Sequence, residues 1–121
     1  MAGRTRLICA STDLVEGGDG VRFEVEHMGE TVGAFAIRHE GVAHAYLNRC
    51  SHVGVELDWE PGKFFDSESP LLICSSHGAL YGPATGACLG GPCRGGLEKL
   101  AIDERDGEVR LKESSGDQRW K

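Results

Sequence analysis

The chain has 121 residues, of which 40% are hydrophobic, enough for one modest core and too few for a large buried cavity. Its formal charge of −6 excludes a nucleic-acid surface, which needs clustered Lys and Arg, and points instead to positively charged protein partners. Residues 1–9 carry Arg4 and Arg6 but no signal-like apolar run, and the longest apolar stretch, Leu71-Leu72-Ile73-Cys74, is far too short for a bilayer, so a cytoplasmic protein without a membrane partner is expected.

Apolar residues alternating with polar ones mark a strand at Val21, Phe23 and Val25, another at Val32, Ala34, Ala36 and more loosely Ile37, and another at Val42, Ala43, Ala45 and Leu47. The segments Gly17-Gly18-Asp19-Gly20, Gly29-Glu30 and His39-Glu40-Gly41 tolerate positive φ and are read as hairpin turns. Residues 48–96 differ in kind: they hold two Cys/His pairs and all four prolines, which marks a loop-built subdomain. Helix is expected to be scarce, with Asp66-Ser67-Glu68-Ser69 offering a start for one short turn. Leu97, Leu100 and Ile102 then run into the turn Asp103-Glu104-Arg105-Asp106-Gly107 and on to Val109 and Leu111, a closing hairpin. The expectation is an all-β fold of antiparallel sheets, one domain over residues 1–112 with a ligand-bearing subdomain at about 48–96, and a polar, frayed tail at 113–121.

Five cysteines is an odd number, and in a reducing compartment unpaired thiols serve as metal ligands, buried hydrophobes or reactive groups more often than as disulfide halves. Cys50-Ser51-His52 follows the strand ending Ala45-Tyr46-Leu47-Asn48, and Cys74-Ser75-Ser76-His77-Gly78 follows the strand Leu71-Leu72-Ile73. Each strand thus delivers a Cys/His pair to one end of a sheet, and two such pairs suffice to enclose one metal centre. Two cysteines and two histidines are also a zinc set, so spacing alone leaves a structural zinc module open.

Over roughly residues 44–95 the sequence resembles the Rieske family, whose motif is C-x-H followed at a distance by C-x-x-H. Cys50-Ser51-His52-Val53-Gly54 resembles its first cluster loop, Cys74-Ser75-Ser76-His77-Gly78-Ala79-Leu80-Tyr81 its second, and Thr85-Gly86 with Gly91-Pro92 its glycine turn and proline-containing covering loop. The resemblance implies a Rieske-like fold and a [2Fe-2S] cluster, with Cys50 and Cys74 on the inner iron, His52 and His77 on the outer iron, Tyr81 as a donor to sulfur and Pro92 in the cover. Two thiolates cancel the charge of the oxidised core and neutral imidazoles add none, so reduction creates one negative charge, and it is easier than at a four-thiolate site. The imidazoles also allow reduction to be coupled to protonation. High-potential members place a serine where this chain has Ala79 and brace the two loops with a disulfide where this chain has Val55 and Ser76, which implies a low to intermediate potential.

The gap between the pairs is long for the family, and the excess lies at 58–70. Its aromatic residues Trp59, Phe64 and Phe65 are read as a satellite core, with a docking surface as the alternative. Cys88 and Cys93 are read as two free thiols beside the covering loop, with a disulfide as the alternative. Cys9 and Tyr46 are expected in the core, His27, His39 and His44 as surface or satisfied core histidines, and Asp103, Glu104, Asp106 and Glu108 as a solvated hairpin.

The function implied is an electron-transfer protein, not a stand-alone catalyst: the ferredoxin of an oxygenase-type system, taking an electron from a reductase and passing it to a terminal oxygenase or similar enzyme. A small Rieske subunit of another oxidoreductase, such as an assimilatory nitrite reductase, is the alternative. An oxygenase in its own right needs a further catalytic domain with two histidines and a carboxylate on iron, and the stretch after the cluster region contains no histidine.

Overall fold

The computed structural model describes residues 4–27, 29–49, 57–58, 62–66, 71–74, 78–91 and 95–113, with Arg4, Thr5, His27 and Glu113 described by their backbone alone. Among the described residues, ten strands, β1 (Arg4–Ala10), β2 (Val21–His27), β3 (Glu30–His39), β4 (Val42–Leu47), β5 (Leu72–Ile73), β6 (Leu80–Tyr81), β7 (Cys88–Gly90), β8 (Lys99–Leu100), β9 (Ile102–Arg105) and β10 (Glu108–Glu113), form three antiparallel sheets. Their orders are β1-β10-β9, β2-β3-β4-β8 and β5-β6-β7. Among the described residues the helical content is a 3-10 turn at Ser11–Asp13, and no helix is long and apolar enough to cross a membrane. The expected all-β architecture is met; the possible helical start after Asp66 lies outside the described residues.

The four-stranded sheet is the platform, and its central strands β3 and β4 bury residues on both faces, since a strand projects alternate residues to opposite sides. Phe35 and Ile37 on β3 and Tyr46 on β4 face one cluster of apolar residues, shared with Leu57, Phe64, Leu72, Cys74, Ala79, Tyr81 and Leu97. Ala36, Ala43 and Ala45 face the other way, against Cys9 and Val109. Alanines line the side facing the β1-β10-β9 sheet, while large aromatic residues fill the side that carries Cys74. Cys9 and Tyr46 are core residues, as expected.

The β3–β4 and β9–β10 hairpins close on the two-residue turns Glu40-Gly41 and Asp106-Gly107, all four residues at positive φ, the turn geometry that matches strand twist. Glu40 tolerates this conformation in a fixed setting: the Glu16 carboxylate accepts the N–H groups of Glu40 (2.7 Å) and Gly41 (2.8 Å), which holds that carboxyl below its usual range. The segment 17–20 is not the expected hairpin turn. It links β1 and β2, which lie in different sheets, and the crossing is pinned by Arg38, whose guanidinium donates to the carbonyls of Leu14 (2.8 Å), Ser11 (3.0 Å) and Gly41 (3.1 Å). Glu104 accepts two further bonds from Arg38 (2.7 and 3.2 Å), so it ties two sheets together instead of belonging to a merely solvated hairpin. This partner holds the Glu104 carboxyl below the ordinary range.

The long segment after the first Cys/His pair lies on the platform. Phe64 is fully buried, its ring stacked on Phe35 at 3.9 Å between centroids and 12° between planes, and Phe65 packs partly buried beside it. The satellite-core reading therefore holds for these two; Trp59 lies outside the described residues.

Candidate metal centre

Cys74 follows the last residue of β5, and the chain reverses direction between Cys74 and Gly78. The Gly78 N–H donates to the Cys74 carbonyl (2.9 Å) and the Cys74 N–H donates to the Ala79 carbonyl (2.9 Å), so the loop carrying the second Cys/His pair is cinched at its base. Gly78, at φ +77, makes that reversal without a Cβ penalty. The chain then re-enters the sheet at β6, where Tyr81 is paired with Leu72 on one side and with Cys88 on the other.

Cys74, Ala79 and Tyr81 are all fully buried in one apolar cluster, and Cys74 carries no disulfide. A thiolate in such surroundings is costly unless a cation takes its charge, so the site suits a cysteine that ligates a metal on the core side. Gly91, at φ +78, lies against the same loop: a Cβ there would stand 2.7 Å from the Gly78 carbonyl oxygen and 2.8 Å from the Ala79 Cα. The segment leading to Pro92 is thereby pressed onto the second loop, the arrangement a covering loop needs.

The far turn of this small sheet is latched to the platform. The buried Tyr46 hydroxyl donates to the Pro83 carbonyl (2.6 Å), and burial pushes its phenol far above the usual range. The Lys99 ammonium donates to the Ala84 carbonyl (2.6 Å) and to His44 Nδ1 (2.9 Å), and lies 5.1 Å from the centre of the Tyr46 ring. Desolvation and the neighbouring ammonium hold the His44 imidazole below its ordinary pKa. His44 is thus a partly buried histidine with a partner, as expected of it, and His39 is likewise only partly exposed.

Of the sequence-predicted site residues, Cys74 and Tyr81 are brought into one buried cluster, while Cys50, His52, His77 and Pro92 lie outside the described residues, as do Val55 and Ser76. Among the described residues no group of three metal-binding side chains occurs, since one of the four expected ligands is described. Cys88 corrects the reading of free thiols: it is disulfide-bonded, to a partner outside the described residues. Cys88 lies on β7 opposite buried Tyr81 and packs partly buried against the same cluster.

A family model for the Rieske [2Fe-2S] domain matches residues 5–101. The chain belongs to the Rieske [2Fe-2S] family. Its cofactor is accordingly a [2Fe-2S] cluster, and the zinc reading that the ligand set alone left open falls away. No curated protein sequence matches the chain significantly. Among solved structures, the Sphingomonas yanoikuyae B1 ferredoxin is similar at 20% identity and a TM-score of 0.70, over 91% of this chain and 99% of that one. The ferredoxin of carbazole 1,9a-dioxygenase from Nocardioides aromaticivorans IC177 is similar at 20% identity and a TM-score of 0.68, over 91% and 98%. The terminal oxygenase of carbazole 1,9a-dioxygenase from Novosphingobium sp. KA1 is matched at 24% identity and a TM-score of 0.68, over 95% of this chain but 31% of that one. At these identities the likeness speaks to the Rieske fold.

Proposed function

We propose that this Rieske protein is a one-electron carrier, the ferredoxin component of an oxygenase-type system, working in the cytoplasm between a reductase and a terminal oxygenase and catalysing no reaction alone. In this reading Cys50 and Cys74 hold the inner iron and His52 and His77 the outer iron, with Tyr81 as a donor to sulfur and Pro92 in the cover. Residues 1–112 form the functional unit, with the cluster-bearing part at about 48–96. The observation that carries the reading is the burial of Cys74 in the core at the base of a cinched loop, within a chain whose family match runs across residues 5–101.

When bound, the cluster supplies a site that accepts and releases one electron without large rearrangement. The chain's own residues supply the setting. The core around Cys74 excludes water on the inner side, the Gly78 and Gly91 backbones fix two loops against each other, and the net charge of −6 favours encounter with positively charged partner faces. Correspondence with ferredoxins over nearly their whole length supports a carrier over a catalytic subunit.

Anaerobic purification tests the assignment. Iron and sulfide in equal amounts, a broad visible spectrum and a Rieske-type EPR signal after dithionite are expected, and the Cys74→Ser and His77→Ala variants should each lose the signal. A colourless wild-type protein, or full cluster retention in both variants, would overturn it.

A further inference from the structure

The first Cys/His pair falls within residues 49–56, and the residues that flank this stretch meet in a buried polar junction. Asn48 is 1% exposed, and its own N–H donates to the Gly33 carbonyl (2.9 Å), which continues the β3–β4 ladder by one residue. Across the neck of the loop, the Leu57 N–H donates to Asn48 Oδ1 (2.8 Å). The Asn48 Nδ2 donates in turn to Asp58 Oδ1 (2.9 Å), while Asp58 Oδ2 accepts from the Gly62 N–H (2.9 Å) and faces Arg22 Nε (3.2 Å). The Asp58 side chain is wholly buried, yet both of its oxygens are used.

We infer that Asn48 and Asp58, steadied by Arg22, are positioning residues that lock the neck of the first ligand loop, and so set how firmly the cluster is held and how its iron is presented. The inference rests on Cys50 and His52 being ligands. A buried carboxylate and a buried amide are expensive in an apolar core, where a hydrophobic pair would fill the space at lower cost. What the polar pair adds is direction. The amide oxygen is bound to one strand of the neck and the amide nitrogen to the residue after it, so the separation of the two ends is set by hydrogen-bond lengths and does not relax by side-chain rotation. Cys50 lies two residues beyond Asn48, so this spacing reaches the ligands through little intervening chain.

The donor and acceptor pattern makes the idea testable by exchange. Asn48→Asp alone sets a second carboxylate against Asp58, and Asp58→Asn alone turns an amide nitrogen toward other donors. The double variant Asn48→Asp/Asp58→Asn restores every bond with the polarity of the central one reversed: the carboxylate at 48 accepts from Leu57 and from the amide at 58, whose oxygen accepts from Gly62 and Arg22.

With the anaerobically purified full chain, the probe is release of iron to a chelator, followed by loss of visible absorption, together with the EPR g-values of the reduced protein and the reduction potential. Each single variant is expected to release iron about tenfold faster, the lower end of the loss in metal affinity seen when groups supporting metal ligands are removed, with shifted g-values. The double variant is expected to return near wild type in release rate and g-values. If a single variant does not fold, Arg22→Gln, which removes the most exposed member, should show the same changes in smaller measure. A wild-type protein with its cluster whose variants release iron at the wild-type rate with unchanged EPR would overturn the inference alone, as would a double variant no better than the singles. A wild-type protein without a cluster would overturn the ligand assignment beneath it.

Discussion

Gly91 leans on Ala79 so closely that a Cβ at position 91 would lie 2.8 Å from the Ala79 Cα, with the Gly78 carbonyl oxygen nearer still at 2.7 Å. Real Cβ atoms do not approach backbone this way, so Gly91→Ala must push the chain at position 91 away from the Gly78-Ala79 backbone. Its φ of +78 adds a penalty of about 1–2 kcal/mol for any residue with a Cβ. The expected result is a lower urea midpoint together with faster bleaching of the visible spectrum in air, whereas Gly107→Ala, at φ +76 with open space around it, should cost stability and leave bleaching unchanged.

Ala79 occupies the position at which high-potential relatives are expected to carry a serine, and it is fully buried beside Cys74. Ala79→Ser should raise the midpoint potential, because a hydroxyl donor favours the more negative, reduced cluster. One kcal/mol of preferential hydrogen bonding corresponds to roughly 40 mV for one electron, so a shift of about that size is expected. Protein-film voltammetry measures it directly, and an unchanged or lowered potential would show that the hydroxyl does not reach sulfur.

Phe64→Ala distinguishes core from docking surface. Removing a fully buried ring stacked on Phe35 should cost about 3–5 kcal/mol of unfolding free energy in urea. A variant of wild-type stability with impaired electron delivery to an oxygenase would assign the residue to an interface instead.

The His44 imidazole titrates below its unfolded value, held down by burial and by Lys99. Above the unfolded pKa, near 6.5, both states are neutral and its contribution is complete; as pH falls below that value the unfolded chain takes up the proton first, and stability is lost. Wild type should therefore lose urea stability between pH 7.5 and 5.5 more steeply than His44→Gln. Equal slopes for the two proteins would contradict this.

β2 was readable because it alternates strictly, and the double-sided burial of β3 shows in the sequence as an apolar run, with Phe35 and Ile37 on one face and Ala34 and Ala36 on the other. The glycine segment at 17–20 misled because turn chemistry is local, whereas the partner of β1 is β10, at the opposite end of the chain. Cys74 could be singled out from its motif, but its setting in the core depends on packing by Phe64 and Leu57, which approach from the long loop. Asn48 and Asp58 escaped notice for a plain reason. A single Asn and a single Asp ten residues apart carry no pattern, and their meaning arises when burial leaves each as the other's partner. Arg38 and Glu104 were hidden likewise, being far apart in sequence and met across two sheets.

The chain leaves the platform at the end of β4 and rejoins it at β8, and these two strands are neighbours, with the Leu47 N–H 2.9 Å from the Glu98 carbonyl oxygen. Everything between them is therefore an insert whose two ends are stitched side by side into one ladder. Such an arrangement permits the insert to be lengthened, shortened or exchanged for that of a relative without repositioning the flanking strands. Changes within the insert can therefore proceed while the flanking strands stay as they are.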